Sequence, residues 1–183
     1  MSQNLKPVNL SNVSAEVRPI LEQVQNNLGF VPNLFGTFAN HAEVLKSYLS
    51  LSEAFSKSGL STLEQQVVAL SVSRENSCEY CVAAHSAISA MSKLDERVIS
   101  SLRNGERLQD TKLEALRAFT KRVVSARGWV DSSDLKDFLS AGYTESSALA
   151  VVLGVTMKTL SNYVNHLAGT ELDQQFSAFA WKS

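Results

Sequence analysis

Proline interrupts this 183-residue chain only at Pro7, Pro19 and Pro32, so nothing beyond Pro32 forbids an uninterrupted run of helices. Apolar residues recur at helical spacing along most of the chain, and no segment shows the period-two alternation of a half-buried strand. An all-α fold is therefore expected. With 44% hydrophobic residues the chain can bury a proper core as one domain spanning 1–183.

The helix signals fall in order. Val17, Ile20, Leu21, Val24 and Leu28 predict a first helix, capped at Ser14 or starting nearer Val17, with Gly29 as its stop. Pro32 opens a short helix in which Phe30, Leu34, Phe35 and Phe38 form an apolar wall, expected to pack in the core rather than line a pocket. A helix over 43–57 ends at Ser58-Gly59. Ser61 and Glu64 then form a capping-box pattern, and the run Val67–Val72 is apolar nearly all round, as in a buried central helix. Arg74-Glu75-Asn76-Ser77 marks a break, with a new helix starting at or just before Cys78 and ending near Met91.

Further helices are expected over 96–104 (Asp95 cap, Gly105 stop), over 112–127 (Gly128 stop), and from Ser132 or Ser133 to Gly142. Thr144 opens another very apolar helix, Ala148 to Leu160, running or bending on towards Leu167. The tail from Glu171, with Leu172, Phe176, Phe179 and Trp181, reads as a docking helix, and Trp129 and Trp181 as core or interface residues. Setting residue n beside n+83 pairs Gly59 with Gly142, Ser61 with Thr144, Val68 with Val151 and Tyr80 with Tyr163. This faint repeat predicts two related helical halves, with core motifs in 60–91 and 142–168.

Charge excludes several partners. Seventeen Lys and Arg balance eighteen Asp and Glu with no basic cluster, which argues against nucleic acid and anionic membranes. The N-terminus lacks the pattern of a secretory signal, no window holds eighteen consecutive apolar residues, and the expected location is the cytoplasm.

The chemistry concentrates in Cys78-Glu79-Tyr80-Cys81-Val82-Ala83-Ala84-His85, which holds both cysteines and one of three histidines. On a helix Cys78 and Cys81 are related as i and i+3, and Cys81 and His85 as i and i+4, so all three share a face. The roughly 5 Å between Cα atoms three apart on a helix lies within the span a disulfide tolerates. A structural disulfide closing so small a loop stabilises little and is held reduced in the cytoplasm. Unpaired N–H groups at the helix start favour a thiolate, and His85 acts either as a cation that lowers the Cys81 pKa or as a neutral base. Cys81 is the better-activated thiol on either reading.

Three uses stay open: two core cysteines beside a core histidine, a zinc site completed by His41 or His166, and a redox dithiol. Zinc sites usually draw ligands from two segments, and the chain has no second Cys-x-x-Cys. Redox use accounts for the pattern best. His166, on an Asn-rich apolar helix, is a candidate for the same pocket, though a core role suits it better.

The run from Leu60-Ser61 through Val67-Val68-Ala69-Leu70-Ser71-Val72 to Cys78-Glu79-Tyr80-Cys81 and His85, with Asn162-Tyr163-Val164-Asn165-His166 and Trp181, resembles the peroxidase-related branch of the carboxymuconolactone decarboxylase/AhpD superfamily. The resemblance implies an AhpD-like helical bundle that works as a homo-oligomer, a trimer or hexamer, without a cofactor or metal. It further implies a thiol-dependent hydroperoxide reductase in which Cys81 attacks the peroxide, Cys78 resolves the sulfenic acid to a disulfide, and His85 relays protons. An external dithiol, of thioredoxin or lipoyl type, would restore the thiols.

Two positions depart from the family pattern. Gln66 stands where a relay glutamate is common, and Tyr80 where some members have histidine between the cysteines. Glutamine holds a water but takes no proton. Glu75 and Glu79 are the nearest substitutes and are expected to face solvent. These departures keep a dithiol redox sensor or slow oxidoreductase in view, whereas the superfamily's lactone decarboxylation is disfavoured because those members generally lack the dithiol.

Overall fold

The computed structural model describes residues 5–183, and among them there are helices and no strand. In chain order the α-helices are α1 (Arg18–Leu28), α2 (Asn33–Phe38), α3 (Ala42–Ser56), α4 (Thr62–Glu75), α5 (Glu79–Met91), α6 (Glu96–Asn104), α7 (Thr111–Ser125), α8 (Ser132–Ser140) and α9 (Glu145–Ala168). A 3-10 helix, Gln174–Phe179, follows.

Local chemistry sets most boundaries. Ser61 Oγ accepts from the Glu64 N–H while the Glu64 carboxylate accepts from the Ser61 N–H, so both exposed donors at the start of α4 are satisfied. Asp95 and Asp110 accept from backbone N–H groups at the starts of α6 and α7. The start of α8 moves one residue forward, because Asp131 rather than Ser132 or Ser133 is the N-cap. α1 starts only after Val17, which places Pro19 in its first turn, where no N–H is needed.

α4 is the central layer. Its residues from Val67 to Ser73 are all buried, and it packs against α5, α7 and α9. α9 comes close at Gly154, where an added Cβ would lie 2.7 Å from the Phe55 ring and 2.8 Å from Val68. Only glycine permits that approach, and it brings the polar residues of α9 onto the dithiol. On the far flank Phe119, Phe138 and Tyr143 stack in sequence, with centroids 4.3 and 4.5 Å apart.

α9 is one continuous helix from Glu145 to Ala168, running on past Leu160, and the positions that pair at n+83 with the α4–α5 break lie inside it. The tail docks as a 3-10 helix rather than an α-helix: Trp181 Nε1 donates to the Arg103 carbonyl, and Arg103 donates to the carbonyls of Phe179 and Ala180. Trp181 is thereby packed against the body, but Trp129 stands 87% exposed.

Candidate active site: a buried dithiol on an apolar cavity

The α4–α5 break positions the cysteines. α4 ends at Glu75, Ser77 takes the left-handed conformation at φ 53°, and Cys78 becomes the N-cap of α5. Cys81 and His85 follow on one face, as their spacing predicts, and both cysteines are free and buried.

Opposite them, α9 supplies groups that sequence reasoning missed. Asn165 Nδ2 donates to Cys81 Sγ at 3.2 Å and reaches Cys78 Sγ at 3.8 Å, while its own Oδ1 is buried without a partner. Ser161 Oγ lies 3.9 Å from Cys81 Sγ. Lys158, 1% exposed, places Nζ 2.8 Å from His85 Nε2.

These partners fix the state of His85. An ammonium only donates, so Nε2 accepts from Lys158; the ring proton therefore sits on Nδ1 and is donated to Gln66 Oε1 at 2.8 Å. Burial, and then the Lys158 charge, hold the His85 pKa well below the usual imidazole value. Of the two roles open to His85, the structure selects the neutral one.

The charge that favours the thiolate is instead on Lys158. Burial alone would raise the Cys81 pKa, but donation from the Cys78 thiol, the Lys158 ammonium and the hydroxyl of Ser161 outweigh it and hold the thiol well below its ordinary range. Cys78 shifts the opposite way, pushed up first by its hydrogen bond to Cys81 and then by burial. Lys158 is raised despite its burial, because the Cys81 charge faces it. These shifts favour the thiolate on Cys81 and the thiol on Cys78, with the Lys158 ammonium facing the Cys81 charge.

A cavity of about 380 Å³ opens onto this group. Cys81 lines it and Cys78 does not; His85, Gln66, Lys158 and Tyr80 also reach it. The remaining walls are mostly apolar, and Phe30, Leu34 and Phe35 belong to them while also packing on the core, so the expected core residues line the pocket as well. Leu34 and Phe38 of that cluster are buried in the core, Phe38 stacked on Tyr48. Tyr80, between the cysteines, turns its hydroxyl away from the sulfurs and donates to Asp173 at 2.5 Å. Asp173 in turn accepts from the Asn33 N–H at the start of α2, tying tail, α2 and α5 together.

Other candidates fall outside. His166 faces solvent beside Tyr163 and does not line the cavity. His41 is the N-cap residue of α3. Glu75 and Glu79 pair with Lys121 and Lys182, so neither replaces the missing relay carboxylate. Among the described residues no three His, Cys, Asp or Glu side chains are grouped to hold a metal ion.

The fold and the site together define an all-α, alkylhydroperoxidase-like bundle. Residues 42–127 match the model of the Carboxymuconolactone decarboxylase family, and this match together with the fold supports the carboxymuconolactone decarboxylase/AhpD-like superfamily. The matched span contains Cys78, Cys81 and His85 but stops short of Lys158 and Asn165. No curated protein is significantly similar to the chain in sequence.

Among solved structures, the chain superposes on the alkylhydroperoxidase AhpD core of a peroxidase-related protein from Ralstonia eutropha JMP134 with a TM-score of 0.82, at 22% identity over 96% of each chain. A peroxidase-related protein from Silicibacter sp. TM1040 gives 0.81 at 20% identity over 94% of each. The debrominase Bmp8, in complex with 2,3,4-tribromopyrrole, gives 0.82 at 16% identity over 98% of this chain and 96% of that one. At these identities the likeness is one of fold.

Proposed function

We propose that the protein is a thiol-dependent hydroperoxide reductase acting on apolar organic hydroperoxides. The observation that carries this reading is that Cys81, the thiol held ionised by Lys158, faces the apolar cavity while Cys78 sits behind it. The Cys81 thiolate attacks the outer peroxide oxygen, the O–O bond breaks, and the alkoxide takes a proton from Lys158 to leave as an alcohol. Cys78 then displaces hydroxide from the Cys81 sulfenic acid, and its own proton completes the water. Lys158 regains its proton when an external dithiol, of thioredoxin or lipoyl type, reduces the disulfide. His85, neutral and accepting from Lys158, orients the ammonium and is the reservoir through which that proton returns.

The test is stopped-flow consumption of cumene hydroperoxide by the reduced protein. Wild type should turn over with a dithiol, Cys78→Ser should consume one equivalent and accumulate a sulfenic acid trapped by dimedone, and Cys81→Ser should be inert. Equal rates for wild type and Cys81→Ser would overturn the assignment. Formation of the disulfide by oxidant without measurable turnover would favour the second reading, a dithiol redox sensor, for which the absence of a relay carboxylate at Gln66 is the supporting observation. Loss of bromide from 2,3,4-tribromopyrrole is the control for chemistry of the kind named for Bmp8. A cytoplasmic location and a homo-oligomer, trimer or hexamer, complete the proposal.

A further inference from the structure

On the face of α4 opposite the dithiol, a second cavity of about 200 Å³ is lined by Ser71, Arg74, Glu75, Arg117 and Lys121. Ser71 is 4% exposed and its hydroxyl has no hydrogen-bond partner. A serine within a helix ordinarily returns its proton to the carbonyl four residues back, as Ser73 does to Ala69 and Ser86 to Val82. Ser71 does not, and a buried hydroxyl left unpaired is costly unless something occupies the space beside it.

The cations around that hydroxyl keep donors in reserve. Arg117 engages the Glu114 carboxylate through Nε and Nη2 at 2.8 and 2.7 Å, leaving its other edge. Arg74 gives Nη2 to the Asn104 carbonyl and lies over Trp181, its guanidinium packed where Gly105, at φ 76°, has no Cβ to obstruct it. Lys121 Nζ and Glu75 Oε2 are 3.6 Å apart, too far for a direct hydrogen bond. Three cations and a free hydroxyl thus converge with one carboxylate, Glu75, among them.

We propose that this cavity is a phosphate-binding site. Ser71, Arg74, Arg117 and Lys121 donate to the phosphate oxygens, and Glu75 accepts from an oxygen that carries a proton. This carboxylate gives the site its selectivity: inorganic phosphate is protonated at neutral pH and satisfies Glu75, whereas sulfate has no proton to offer and is repelled.

The experiment is calorimetric titration of the intact, reduced protein at constant ionic strength with inorganic phosphate, sulfate and glycerol phosphate in separate arms. Saturable phosphate binding, weaker for sulfate by roughly tenfold or more, is the expected result, since one lost charge-assisted hydrogen bond is of that size. Ser71→Ala and Lys121→Gln should each weaken phosphate by about tenfold with no fall in the protein's melting temperature without ligand. Glu75→Gln should erase the preference over sulfate. Glycerol phosphate, mostly an unprotonated dianion at neutral pH, should bind more weakly than inorganic phosphate, and the reverse order would overturn the role given to Glu75. Absence of saturable phosphate binding, or unchanged affinity in the Ser71→Ala, Lys121→Gln double variant, would overturn the proposal. No peroxide or thiol chemistry enters the readout, so it stands or falls apart from the function assigned to Cys81.

Discussion

Lys158 Nζ lies 2.8 Å from His85 Nε2, and this contact gives the ammonium, rather than an imidazolium, the task of holding the Cys81 thiolate. Replacing Lys158 with methionine keeps the volume and removes the charge. The Cys81 pKa should then rise by at least about one unit, a tenfold or greater loss of thiolate near neutral pH. Iodoacetamide labelling of Cys81 in a Cys78→Ser background reports it directly: with Lys158 the rate should change little between pH 6 and 8, and with methionine it should climb steeply over that range.

The same shift makes stability depend on pH in a definite direction. In the unfolded chain Cys81 is protonated below about pH 8.5, whereas in the folded protein it is ionised well below that. The unfolded state therefore binds the extra proton, and stability rises with pH up to the ordinary thiol range and is lost as pH falls through the folded value. Urea unfolding of wild type and Cys81→Ser should show a difference that widens from pH 6 to about 8.5 in favour of wild type. A difference flat across that range would mean that Cys81 is protonated in the fold.

Gln66 presents Oε1 to the His85 Nδ1 proton. A carboxylate placed there by Gln66→Glu would favour the imidazolium, and the His85 pKa should rise by about one unit or more. Imidazole NMR shifts against pH measure it. Peroxide turnover should respond as well, because an imidazolium cannot accept the hydrogen bond by which His85 orients the Lys158 ammonium.

Sequence carried the fold further than it carried the site. Capping signals at Ser61, Asp95 and Gly105 are local, involving neighbours within a few residues, so periodicity and cap chemistry place α4 and α6 closely. Cys78, Cys81 and His85 are legible for the same reason, being held together by one helix. Lys158, Ser161 and Asn165 reach the sulfurs only because Gly154 lets α9 approach α3 and α4, a relation no spacing rule contains. One signal was available: Lys158 is the only Lys, Arg, Asp or Glu between Ser146 and Thr170, and a lone charge in so apolar a helix must be paired inside. The aromatic wall was legible only in part, since an apolar periodicity marks a buried face without distinguishing packed core from cavity lining.

Tyr80 and Asp173 form a latch behind the active site. Tyr80 donates to Asp173, Asp173 holds the start of α2, and Phe176 packs edge-on against Tyr80 and Phe30. Tyr80→Phe leaves the Asp173 oxygen short of one partner and should cost about 1–3 kcal/mol in urea unfolding. Because Phe30 and Phe176 line the cavity, the variant should also raise KM for a bulky hydroperoxide more than it lowers kcat.

The homo-oligomer is expected to form on α9. Leu149, Val152, Tyr163 and Leu167 are exposed along this helix, and no charged side chain lies between Leu149 and Leu167 on its outer face, Glu145 standing at the N-terminal end. A second copy brings the same uncharged strip, so the two faces bury each other without stranding a charge, whereas a partner with a charged surface would have to desolvate it there. Leu149→Glu with Leu167→Glu places like charges across such an interface and should shift sedimentation velocity from the assembled species to the monomer, with helical circular dichroism unchanged. Since α9 also carries Lys158 on its inner side, dissociation should loosen the site and slow Cys81 labelling. A wild type that sediments as a monomer at tens of micromolar, or a double variant that stays assembled, would place the interface elsewhere or remove it.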